Sequence, residues 1–325
     1  NNWDTKNFSN YVRKKDKKNK IILARDHGGP WQNNIEIDQK LNLKNAMLSS
    51  KKSFETDIKN DFQIIHIDTS VDIKKNPSFK DAFERLCELY SFCIEKSHKH
   101  KKKIIFEIGT EEQNGSTNTP IELKKTLNQF YSFCKKNKYQ IPTFVVVQSG
   151  TKVMETKNIG SFESPLRIKN ELPVEIQLPK MIDICNEHNI FMKEHNADYL
   201  TVDSLNWHPK IGIHSANIAP EFGVTETKAF IKILNKFKLY KQKDDFFEIS
   251  LKSGKWKKWM LQNSKANDYE KSIISGHYVF SYPEFLELKY KIVSILKKKR
   301  INLDKYLKDQ IKLSIYKYLK AFSLI

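Results

Sequence analysis

Two periodicities alternate along the chain. Short apolar runs read as buried strands at Ile21–Ala24, Ile64–Ser70, Lys103–Thr110, Thr143–Val147, Ile190–Lys193 and Ile211–His214. Between them, apolar residues return every three or four positions, as helices buried along one face require. Such stretches cover Ile35–Lys51, Phe79–Glu95, Pro120–Lys136, Leu178–Asn189 and Thr225–Leu239. Phe79, Phe83, Leu86, Leu89, Tyr90 and Cys93 form the clearest stripe. Six strands alternating with helices predict an α/β fold built on a parallel sheet.

Several runs end in polar residues. That favours a (βα)8 TIM barrel, whose chemistry sits at the C-terminal face of its strands. An open doubly wound sheet is the alternative, but no G-x-G-x-x-G segment follows any strand. A closed barrel needs eight strands, so the first is expected to precede Asn1 and the last to come from Tyr278–Phe280 or Phe246–Leu251. From about Lys252 the pattern is mostly helical. The expected division is a barrel domain over 1–251 and a helical C-terminal extension packed on it over 252–325. The stretch Thr151–Pro173 reads as a long loop, a length that often carries function.

Composition narrows the class. No apolar run approaches the roughly 18 residues of a membrane span, and no signal peptide is visible, so a cytoplasmic protein without a membrane partner is expected. Cys87, Cys93, Cys134 and Cys185 fall in predicted helices without a Cys-x-x-Cys pair, which excludes a disulfide framework and a zinc knuckle. The net charge is +19. Its lysines are spread over many helices and no nucleic-acid motif accompanies them, so the favoured reading is solvated helix faces, then a small phosphorylated ligand, with no nucleic-acid partner.

The strand ends supply Asp26, His27, Asp68, Glu111, Gln148, His195, Asp198, His214, Asn217 and Glu221. A catalytic divalent metal takes about three His or carboxylate ligands and leaves a place for substrate. His27, His195 and Glu111 fit that need, Asp26 can move a proton, and Ser215 with Asn217 can hold a phosphate or hydroxyl. His66 reads as a satisfied core residue, Lys193 and His214 as interior polar residues, and His98, His100 and His188 as solvent-facing.

The order of these segments resembles the class II ketose-bisphosphate aldolase superfamily, and within it the accessory (Z-type) subunit of tagatose-bisphosphate aldolase. The resemblance rests on Asp26–Gln32, His66–Ser70, Ile108–Glu111, Val145–Gly150 and Glu194–Tyr199. It implies a (βα)8 barrel, zinc at His27 and His195 and proton handling at Asp26; among the strand-end residues Glu111 is a second catalytic candidate, and Asp68, Gln148, Asp198, Ser215 and Asn217 are the candidate substrate contacts. Asn217–Glu221 is similar to a catalytic-enzyme run whose asparagine meets the triose phosphate. The chain departs from the catalytic enzymes after Val147, where Gln148, Ser149 and Thr151 replace a third zinc histidine and the glycine-rich phosphate loop is absent. The expected function is metal-assisted aldol cleavage or condensation of a phosphorylated ketose. The alternative is a non-catalytic subunit that stabilises and activates a separate aldolase chain, and a homo-oligomer is a further possible assembly.

Overall fold

A computed structural model describes residues 3–109, 119–148, 151–160 and 173–325. The elements, in order, are α1 (Thr5–Lys15), β1 (Ala24–Gly28), α2 (Asn34–Asp38), α3 (Leu43–Lys59), β2 (Ile64–Asp68), α4 (Phe79–Lys99), β3 (Ile105–Gly109), α5 (Pro120–Asn137) and β4 (Phe144–Val147). There follow the strands β5 (Lys152–Met154) and β6 (Lys157–Ile159), then α6 (Val174–Glu187), β7 (Phe191–Glu194), α7 (Val202–Ile211), β8 (Ile213–Ala216) and α8 (Pro220–Lys236). The chain ends in α9 (Tyr240–Lys252), α10 (Asp268–Ser275), α11 (Pro283–Lys298) and α12 (Leu303–Ala321).

The fold is α/β, and the chain forms two compact units. The first comprises residues 1–150, 170–195 and 213–215. Its sheet runs β1-β2-β3-β4-β7-β8, and each pair from β1 to β7 is parallel. This order never reverses. Right-handed crossovers that always step the same way put their helices on one face, and α3, α4, α5 and α6 do pack against one another in that sequence. It is the winding of a barrel rather than of a doubly wound sheet, whose strand order reverses at a switch point. Among the described residues, β8 does not pair with β1. Alternation sorts the strands: Ile65, Ile67, Phe106 and Ile108 are fully or almost fully buried hydrophobes, while His66, Asp68 and Glu107 are buried polar residues on the opposite face.

The second unit holds residues 151–169, 196–212 and 216–325. Its core gathers Phe230, Phe246, Val279, Phe285 and Ile292. Phe230, Phe246, Phe280 and Phe285 contact one another at 4.7–6.1 Å between ring centres. Both expected sources of a last strand lie here and are helical. Phe246–Leu251 belongs to α9, and Tyr278–Val279 closes a short 3-10 turn. Short apolar runs do not distinguish strand from buried helix, and here packing among the phenylalanines decides. The expected loop after Thr151 contains the β5–β6 antiparallel pair, and α7 occupies a stretch without a predicted helix. No helix among the described residues is long and apolar enough to cross a membrane.

Candidate active site

The polar ends of β1, β2, β4 and β7 meet at the C-terminal edge of the parallel sheet. The meeting depends on an irregularity in β1. Arg25 pairs with Ile65 but Gly28 pairs with Ile67, so three steps on β1 match two on β2. Such a bulge re-aims side chains. His27 sits in the left-handed region, with φ +43°, a conformation that costs a non-glycine residue about 1–3 kcal/mol. Side chains that would normally point to opposite faces now both reach His66: Asp26 Oδ1 lies 3.6 Å from His66 Nδ1, and the His27 and His66 ring centres are 4.9 Å apart; the His27 backbone N–H also donates to His66 Nδ1 at 3.2 Å. Gly29 lets this loop close down, because a Cβ there would lie 1.8 Å from the Asp68 carbonyl oxygen.

His27 and His195 come together although 168 positions separate them. Their Nε2 atoms are 3.2 Å apart. His27 Nδ1 is 2.7 Å from Asp68 Oδ2, and His195 Nδ1 is 2.7 Å from Gln148 Oε1. Both Nδ1 partners are oxygens, so neutral rings carry their protons on Nδ1 and aim both Nε2 lone pairs at one spot. Two lone pairs that close repel unless a proton or a cation lies between them. Two nitrogen ligands of a tetrahedral ion at about 2.0–2.1 Å stand roughly 3.3 Å apart, which matches the observed spacing. Asp26, His27 and His66 form a second group, with ligand atoms within 4.8 Å of one another. That spread is looser, and the His27–His195 pair fits a shared ion better.

Electrostatics keep these groups ready. Burial, and then the charge of His27, lowers His195 to about 4, so its ring is neutral near pH 7. Desolvation by its neighbours pushes the Asp26 carboxyl upward, but its contact with His66 and the charges of His27 and Lys193 outweigh it and hold the group well below the usual carboxylate range. Its side chain is 60% exposed, open to a substrate. Asp68 is also held low: burial opposes this, while the His27 hydrogen bond and the nearby imidazoles win. Asp68 is fully buried and accepts from His27, Gln32 and Ser70, an arrangement that orients His27. Behind Asp26, Lys193 reaches over β4 to Glu107 at 2.7 Å, and Glu107 lies 3.3 Å from His66 Nδ1.

The remaining expected residues fall elsewhere. Glu111 lies outside the described residues. Asp198 belongs to the second unit, is 3% exposed, and accepts the backbone N–H groups of Ala219 and Glu221 at the start of α8. Burial raises it to about 6. Ser215, in β8, and Asn217, after it, are half-buried; the Asn217 carbonyl accepts the Ala197 N–H. His66 is not the satisfied core residue expected, because its fully buried Nε2 has no hydrogen-bond partner. Its place beside Asp68 on one face of β2 was the available signal. His214 is exposed, stacked on Phe191. His188 is buried, with both ring nitrogens bonded, to Ile184 and Asn128.

No family model and no curated protein matches the chain. Solved structures do. A probable tagatose 6 phosphate kinase from Sinorhizobium meliloti 1021 superposes with a TM-score of 0.75 at 16% identity, over 98% of this chain and 88% of that one. A fructuronate-tagaturonate epimerase, UxaE, from Cohnella laeviribosi, in its glycerol complex, gives 0.60 at 9% identity, over 96% of this chain and 70% of that one. At these identities the likeness is one of fold.

Proposed function

We propose that this chain is a metal-dependent enzyme of carbohydrate metabolism that cleaves or forms a carbon–carbon bond in a phosphorylated ketose. The observation that carries the proposal is the 3.2 Å approach of the two Nε2 atoms, each ring oriented from behind by an oxygen. His27 and His195 would hold a divalent ion, zinc being the best match to a nitrogen-rich, tetrahedrally spaced donor set. When bound, that ion supplies a Lewis acid for a substrate carbonyl. In the condensation direction Asp26, charged and exposed, would take the proton from the substrate carbon beside that carbonyl; that carbon then bonds the carbon of an aldehyde, whose C=O becomes C–O, and the proton ends on that oxygen, with cleavage the reverse. Asp68 and Gln148 fix the rings, as oxygen acceptors do behind metal-binding histidines. Both structural relatives are named for sugar or sugar-acid substrates, in keeping with this class of substrate.

The test is metal content after loading with zinc and dialysis. One equivalent in the native chain and its loss in both His27→Ala and His195→Ala are expected, together with loss of ketose-bisphosphate cleavage in Asp26→Asn. A native chain that retains no metal overturns the reading.

A second reading has its own observation. Gln148 occupies the position after β4 where the catalytic aldolases place a third zinc histidine, and it is spent on orienting His195. We therefore also propose a supporting subunit for a separate aldolase chain. Ketose-bisphosphate cleavage that appears only when such a chain is added separates this reading from the first.

A further inference from the structure

Between α3 and α4 the first unit has a cavity of about 590 Å³, lined by Leu43, Lys44, Met47, Leu48, Lys51, Arg85 and Glu88. Its volume lies within the roughly 300–1,000 Å³ of small-molecule sites. The wall is of two kinds. Leu43, Met47 and Leu48 are apolar, and Leu43 and Leu48 are 40% and 54% exposed. Lys44, Lys51 and Arg85 supply three cations against one acid, Glu88, which already pairs with Lys51 at 2.6 Å.

Arg85 is the unusual member. It is 7% exposed and bonds Asp72 through Nη2 at 2.7 Å. Its guanidinium lies over the buried Trp31 ring at 5.3 Å. Yet Nε and Nη1 are buried without a hydrogen-bond partner. An unmet buried donor on a charged group costs more than one on a neutral group. A guanidinium left short of acceptors in a cavity wall is complementary to an oxyanion, which takes charge-assisted bonds from it.

We propose that this cavity binds a soluble small molecule with a phosphate monoester head and a short apolar tail. The head pairs with Arg85 and Lys44, and the tail lies on Leu43, Met47 and Leu48. The site is separate from the histidine pair and does not depend on the function proposed above.

Calorimetric titration with hexyl phosphate, inorganic phosphate and hexanol tests it. Hexyl phosphate is expected to bind at least about tenfold more tightly than either half alone, since both walls contribute. Leu48→Glu, at an exposed position that leaves the fold intact, and Arg85→Lys are each expected to weaken it about tenfold or more. The double variant His27→Ala/His195→Ala is expected to bind hexyl phosphate as the native chain does. The absence of measurable binding, binding unchanged in Leu48→Glu, phosphate as tight as hexyl phosphate, or loss of binding in the histidine variant would each overturn the proposal.

Discussion

At the scale of single residues, close approach explains more than side-chain chemistry. Gly29 tolerates no Cβ, since its neighbour is backbone and cannot swing away. Gly29→Ala is expected to cost about 2–4 kcal/mol in urea unfolding and to reduce zinc retention, because the loop that carries His27 must lift. Two buried groups set opposing pH slopes. His195 drops from 6.5 to about 4 in the fold, so the unfolded chain takes the proton first. Its contribution to stability is complete above pH 6.5 and is lost as pH falls toward 4. Asp198 rises from 3.8 to about 6, so its contribution is complete below pH 3.8 and is lost as pH rises through 6. Asp198→Asn keeps an oxygen for the α8 amides and removes the second slope. Unfolding measured from pH 4 to 7 should then show a gain on the order of 2 kcal/mol at neutral pH. Asp26, His27 and His195 were legible in the sequence because each follows an apolar run. His66 was not: it lies inside a strand, and only the register of β2 against β3, which sets it opposite Glu107, reveals its surroundings.

At the scale of elements, the strand ends were easier to read than the strand starts. Ile21 and Ile22 look like the opening of β1 but are 51% and 53% exposed, and β1 begins only at Ala24. Helix α7 was illegible because Pro209 interrupts its pattern. The proline is tolerated in the last turn, just before Gly212 ends the helix at φ +98°. Helix α12 is tied to the second unit by polar bonds as well as packing. Tyr318 donates to Glu221, and Lys317 pairs with the same carboxylate at 2.6 Å. Glu221 also accepts the Tyr199 N–H. Tyr318→Phe withdraws one donor from this buried carboxylate. Thermal or urea unfolding should register a loss of about 1–3 kcal/mol.

At the scale of the whole molecule, the sequential strand order was legible from the βα alternation, because a strand–helix–strand unit sets each parallel strand beside the one before it. The helical fate of Phe246–Leu251 was not, since it depends on distant phenylalanines. All four cysteines are free thiols on helices of the first unit. Burial pushes Cys87, Cys134 and Cys185 up to about 12 and raises Cys93 as well. A thiol reagent at pH 8 should therefore label the native chain slowly and all four sites rapidly in denaturant. Fast labelling of the native chain would contradict the burial of these helices.

The extra residue in β1 constrains descent as well as geometry. Deleting Asp26 or His27, the two positions between Arg25 and Gly28, would restore plain pairing with β2 and take the acid or the imidazole away with it, and the one that remained would alternate like any strand residue. No later exchange of side chains could repair that. Lineages that keep the chemistry must keep the length of this strand, even where they alter what it carries.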